Sequence, residues 1–265
     1  MTKTLGIDVS RWQDNNSTAQ KMDFVKAKAA GARFVFIKAS QQLYADEDIL
    51  FNWKSAKDAG LLRGAYHFLT WDKPGREQAR YFWSIIKSDP GELPPVCDFE
   101  SWGTIPSNAY YILWEFLQEL KLLCGRNPII YTGYYFWQTY GAHPAETMDF
   151  TQFPLWLAYY ATEQYIKVPL EWPRWTFWQY TSKGDGLAFG SESLDLDMDY
   201  FNGSYEDLLT FAGLDHTVYL PVVIAAPDPH IAQLETARNE LADAKAGLLA
   251  QINEIDHIIN TVLKG

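Results

Sequence analysis

Positive charge, cysteine and long apolar runs are all scarce in this chain, and each shortage excludes something. Lys and Arg number 22 against 33 Asp and Glu, a formal net charge of −11. No basic stripe runs along the sequence, so nucleic acid is not an expected partner. An acidic chain also gains no long-range attraction to an anionic surface, so recognition of an anionic polymer must come from specific contacts. The two cysteines, Cys97 and Cys124, are too few for a disulfide framework, and their apolar contexts predict buried thiols. No apolar run reaches the length of a membrane span. The five histidines show no zinc-ligand spacing and no twelve-residue calcium loop appears, so neither metal nor cofactor is expected. The alternation Asp195, Asp197, Asp199 leaves calcium open as an alternative to a solvated strand.

Aromatic residues are abundant, at 16% of the chain. They supply a large core, or line a groove in which their faces stack on apolar ligand surfaces. Eight short apolar runs recur: Leu5–Val9, Phe34–Ala39, Leu62–Leu69, Pro94–Glu100, Pro128–Thr132, Pro154–Tyr159, Trp175–Tyr180 and Leu194–Met198. Amphipathic stretches fill the early gaps, at Lys21–Ala30, Asp46–Ala59, Pro74–Lys87 and Ser107–Leu123. Gly31 and Gly60 suit helix C-termini, Pro74 a first helical turn and Ser107 an N-cap. This alternation predicts an α/β fold, a TIM-like β/α barrel of parallel strands over residues 1–214. The later gaps are rich in Pro and Trp and predict an irregular second half.

Residues 215–229 carry Pro221, Pro227 and Pro229 and read as an extended linker. Residues 230–265 then show apolar positions at spacings of three and four, from Ile231 and Leu234 to Ile259 and Val262. This predicts a C-terminal coiled-coil helix that associates copies of the chain through residues 230–263. A helix packed back on its own barrel is the alternative. Arg238 and Lys245 interrupt the seam and would set its register.

Asp8, Lys38, Tyr66, Asp98, Glu100, Tyr131, Tyr159, Gln179 and Asp197 all fall at or near the ends of apolar runs. In a parallel barrel those ends share one rim, where active sites lie. Asp98 and Glu100, separated by one residue, share a face if the run is a strand, with Cys97 and Phe99 turned the other way. The first and last strands of a closed barrel are neighbours, so Asp8 and Asp197 share a wall. Clustered, buried carboxyls do not all ionise freely, and one kept protonated near neutrality can act as a general acid. The others can stabilise growing positive charge, the equipment of glycosidic bond cleavage.

The motifs GIDVSRWQ, FVFIKAS, GAYHF, VCDFE, IIYTG, LWLAYY, FWQYTS and LDMDYFNG, in this order, resemble glycoside hydrolase family 25, the Chalaropsis-type lysozymes or muramidases, many of them bacteriophage endolysins. The resemblance spans about residues 4–203. It implies cleavage of the β-1,4 bond between N-acetylmuramic acid and N-acetylglucosamine in bacterial peptidoglycan. It implies Glu100 as general acid, Asp98 as the carboxylate at the reaction centre, and Asp8 and Asp197 as flanking acids. Asp199 stands where the family usually has Asn, and strand alternation permits Asp197, Asp199 or both to face the cleft. Tyr66, Tyr131, Tyr159, Trp178 and Gln179 match groove positions that contact sugar; Lys38 is a groove cation or the ion-pair partner of an acid. Direct attack by Asp98, attack through water, and attack by the substrate's acetamido group all remain open, the last being the family's favoured route. The opening MTKTLGIDVS has no signal-peptide pattern, so synthesis in a host cytoplasm and action on the wall after release are expected. A barrel that binds wall sugar without cleaving it, or another hexosaminidase or chitinase, are the competing functions.

Overall fold

The computed structural model describes residues 2–14, 21–100, 103–141 and 148–215. The chain divides into two units, 1–218 and 219–265, and every described residue lies in the first. The expected linker beyond Asp215, the coiled-coil helix and the association through residues 230–263 lie outside the described residues.

Nine strands form one sheet: β1 (Thr4–Val9), β2 (Phe34–Gln41), β3 (Tyr44–Ala45), β4 (Leu62–Phe68), β5 (Val96–Asp98), β6 (Ile129–Gly133), β7 (Leu155–Ala158), β8 (Phe177–Asp185) and β9 (Asp195–Phe201). Their order is β1-β9-β8-β7-β6-β5-β4-β2-β3, and a further β1–β2 pairing closes eight of them into a barrel-like sheet. β3 is a two-residue addition hairpinned onto β2. The helices are α1 (Phe24–Ala29), α2 (Ile49–Asp58), α3 (Gly75–Ile86), α4 (Ala109–Cys124), α5 (Tyr134–Phe136) and α6 (Tyr205–Ala212). Among the described residues after β6, only short helical pieces intervene until α6.

The expectation of uniformly parallel strands fails at β9, which runs antiparallel to both β1 and β8. The turn after β8 is too short for a crossover helix, and a parallel neighbour requires one. Two helix ends also differ from expectation. Pro74 is the N-cap of α3 rather than a residue of its first turn, and the N-cap of α4 is Asn108, not Ser107. Cys97 is buried as expected, whereas Cys124 is only partly so.

Alternation sorts the strand residues into two layers. Ile7, Val9, Val35, Ile37, Cys97, Ile130 and Leu157 face outward and join the helices in the main core. Phe34, Phe36, Trp156 and Phe177 face inward and fill the barrel axis, with Phe36 stacked on Trp156 at 4.2 Å between ring centres. Gly6 and Gly64 make room for this plug: a Cβ on either would meet the ring of Phe34 or Phe36 within 2.6 Å. The aromatic plug closes the barrel below and leaves a cleft at one rim.

Candidate active site

The cleft has a volume of about 310 Å³. Asp8 is the penultimate residue of β1, Asp98 ends β5, and Lys38 lies in the second half of β2. Glu100 lies past the last paired residue of β5, but the ladder persists long enough to aim it: the Phe99 amide donates to the Tyr131 carbonyl at 2.9 Å. Phe99 is therefore turned into the outer core, and Asp98 and Glu100 both face the cleft. Asp197 arrives by another route. It lies in the first half of an antiparallel strand, directly opposite Asp8 in register. Opposed residues of an antiparallel pair share a face, so both acids line one wall.

Two residues further along the same strand, Asp199 is fully buried, and it does not line the cleft. It pairs in register with Gly6, beneath Asp8, and its Oδ1 accepts from the Trp156 indole at 2.7 Å. Asp197, not Asp199, is thus the cleft acid of β9. Asp195 at the strand's exposed start pairs with Lys183. The three aspartates face three different environments, and among the described residues no group of three His, Cys, Asp or Glu side chains is arranged to hold a metal ion.

Of the expected groove residues, Tyr66, Tyr131, Gln179 and Lys38 line the cleft, and Tyr159 and Trp178 do not. Trp178 faces the outer core, its indole N–H donating to the Tyr159 carbonyl at 2.7 Å. Tyr159 packs beside Tyr134 and Tyr135 outside the cleft. The residue that enters is Tyr160, two residues past Ala158 at the end of β7 and four past Trp156, on the face that alternation from Trp156 selects. That two-residue step from the buried Trp156 was the available signal. Trp12, 68% exposed, and Gln13 add a rim from the turn after β1, which is fixed by a capping box between Ser10 and Gln13.

Gln179 ties the floor together. Its Oε1 accepts from Tyr131 Oη at 3.0 Å and Tyr160 Oη at 2.8 Å, and its Nε2 donates to Asp8 Oδ2 at 2.8 Å. Lys38 Nζ donates to Gln41 Oε1 at 3.0 Å and lies 4.8 Å from the centre of the Phe68 ring.

Burial raises every carboxyl in the cluster. Glu100 is pushed up to about 7, by burial first, with Lys38 opposing and Asp197 adding. Asp98 is raised by burial and by Glu100, and lowered by Lys38. Lys38 is itself lowered by burial, and its largest favourable charge partner is Asp98. Asp8 is raised by burial, then by Asp197 and Asp199; Asp197 rises to about 6, chiefly through burial. An excess of acids around one ammonium holds protons near neutrality.

A second polar chain, Ser40 Oγ to His67 Nδ1 at 2.8 Å and His67 Nε2 to Gln78 Oε1 at 3.1 Å, looks like a nucleophile relay. All three residues are fully buried, and burial lowers His67 to about 3, so it is a neutral packing group between β4 and α3.

The family model of the glycosyl hydrolases family 25 matches residues 7–187. Lysozyme M1 of Streptomyces globisporus is 32% identical over 226 residues, covering 78% of this chain and 70% of that protein. The N,O-diacetylmuramidase of Chalaropsis sp is 29% identical over 225 residues, covering 78% and 98%. The crystal structure of the bacterial lysozyme from Streptomyces coelicolor superposes with a TM-score of 0.67 at 30% identity, covering 80% of this chain and 98% of that one. The matched stretch begins at the first barrel strand and runs past β8, so the acids on β1 and β5 and the glutamine between them sit within it, and the chain belongs to glycosyl hydrolase family 25.

Proposed function

We propose that this peptidoglycan hydrolase is an N-acetylmuramidase, cleaving the β-1,4 bond between N-acetylmuramic acid and N-acetylglucosamine. The observation that carries the reading is a carboxyl held near pH 7, Glu100, beside a second carboxyl, Asp98, that is the stronger partner of Lys38. Both carboxyls are raised by burial, so the pair holds a proton near neutrality, and the family resemblance gives the donor's role to Glu100. Glu100 gives that proton to the glycosidic oxygen as the C–O bond breaks. Asp98 faces the positive charge that grows at the anomeric carbon, as a nucleophile or by orienting the substrate's acetamido oxygen. Water then completes the sugar and returns a proton to Glu100. Asp8 and Asp197 form the opposite wall and add negative potential to the reaction centre. Tyr66, Tyr131, Tyr160 and Gln179 supply rings and polar atoms for sugar hydroxyls.

Mass spectrometry of the products tests this. Cleaved peptidoglycan with reducing-end muramic acid is expected. Reducing-end glucosamine would mark a glucosaminidase, cleavage of chitin oligosaccharides alone a chitinase, and binding without product a sugar-binding barrel. The setting we infer is that of a phage endolysin, made in a host cytoplasm and acting on the wall once released; this rests on the family resemblance. Cytoplasmic expression that lyses cells only after the inner membrane is permeabilised is the expected result.

A further inference from the structure

A second cavity, of about 270 Å³, opens off the cleft and shares Trp12 and Lys38 with it. Arg11, Tyr44 and Glu47 form its far wall. That wall is built at a cost. β2 and β3 pair Gln41 with Tyr44, so the chain reverses over Gln42 and Leu43. Gln42 takes a φ of +50°, the only non-glycine residue with a positive φ among those described. Such a conformation is strained in a non-glycine residue and persists where the surroundings enforce it; here the Gln42 amide is held by Asp72. The reversal sets Tyr44, half exposed, beside the cleft. Arg11 is placed with similar care: its guanidinium lies 4.7 Å from the centre of the Trp12 ring, and Nη1 donates to Glu47 Oε1 at 2.8 Å. Both partners of that ion pair are well exposed, so it is weak and open to exchange with another carboxylate.

Charge separates the two cavities. Asp8, Asp98, Glu100 and Asp197 line the cleft and repel an anionic substituent. The side cavity sets Arg11 and Lys38 against Asp46 and Glu47 and is balanced, whereas the cleft sets four acids against Lys38 alone. A substrate whose sugar enters the cleft therefore turns its carboxylates toward Arg11. We propose that the side cavity binds the carboxylate-bearing lactyl-peptide arm of a muramic acid residue, with Arg11 on a peptide carboxylate and Tyr44 and Trp12 against its apolar portion. This rests on the muramidase reading and names the part of the substrate it selects.

The test compares two glycans from one peptidoglycan preparation, one with intact uncross-linked peptides and one stripped of peptide by an amidase. Full-length Arg11→Gln and Tyr44→Ala proteins, checked by thermal melting, are expected to lose about tenfold in kcat/KM on the peptide-bearing glycan, mainly through KM, as befits one charge-assisted contact. On the stripped glycan they are expected to match the unsubstituted protein. An unchanged ratio between the two substrates, in variants that melt normally, overturns the peptide site while the muramidase reading stands. An unsubstituted protein that cleaves neither glycan overturns both.

Discussion

Gln179 Nε2 donates to Asp8 Oδ2 at 2.8 Å, and Gln179 is oriented for this by two phenols that both donate to its Oε1. A primary amide offers a two-lone-pair acceptor and a donor on one flat group at any pH. The bond favours the anion at Asp8, against burial and against the charges of Asp197 and Asp199. Gln179→Glu replaces an amide donor that is present at any pH with a titrating carboxyl and adds another acid to a crowded cluster. It is expected to lower kcat/KM about a hundredfold, the scale for losing a placed electrostatic donor. Near-normal kcat/KM in a folded Gln179→Glu protein would detach Asp8 from the chemistry.

Asp199 poses a different problem, since its Oδ1 accepts from the Trp156 indole and its carboxyl shares a hydrogen bond with that of Asp8. Burial raises its carboxyl well above the usual range. A raised acid contributes its stability at low pH and loses it as pH rises, because the native site disfavours the anion. Asn keeps the acceptor for the indole and cannot ionise. Asp199→Asn is therefore expected to match the parent at low pH and to gain on it as pH rises. Asp199→Leu strands the indole N–H and should cost about 1–3 kcal/mol. Denaturant unfolding across pH measures both.

The sequence patterns that were legible are those in which one strand rule settles the answer. Asp98, Glu100 and Phe99 divide between cleft and core by alternation alone, and Asp8 follows from strand order. The same rule, applied from Trp156, leads to Tyr160; the double tyrosine of LWLAYY hides it, because either residue ends the run. Trp178 illustrates the opposite trap: a large aromatic next to a cleft glutamine is, by the same alternation, a core residue. The direction of β9 was not legible, since an apolar run carries no arrow and only the short β8–β9 turn forces the reversal. Nor was the side cavity, whose Tyr44 is placed by a chain reversal through Gln42 at a positive φ.

Tyr159 and Tyr160 allow a paired test in adjacent positions. Tyr160 Oη donates to Gln179 at 2.8 Å inside the cleft, whereas Tyr159 lies with Tyr134 and Tyr135 outside it. Removing one neutral hydrogen bond costs about 1 kcal/mol, roughly fivefold in rate. Tyr160→Phe is expected to lower kcat/KM by about that factor, and Tyr159→Phe to leave it unchanged. A fall confined to Tyr159→Phe would reverse the assignment of the two rings.

Glu100 ties both activity and stability to pH, and its substitution moves the two in opposite directions. Its carboxyl, raised by burial from 4.5 to about 7, is protonated below that pH and able to donate. Activity is thus expected to fall as pH rises through about 7, and Glu100→Gln to remove about 10²–10⁴ of the rate. The stability argument has its own sign. The folded value lies above the unfolded one, so the contribution is full below about 4.5 and is lost as pH climbs through about 7. Glutamine escapes that loss. At about pH 8 the inactive Glu100→Gln protein should melt at a higher temperature than its parent, and near pH 4 the two should melt alike. Thermal melts at both pH values, read beside the kinetics, separate a lost proton donor from a damaged fold, and a variant that melts lower at pH 8 would remove Glu100 as the buried acid.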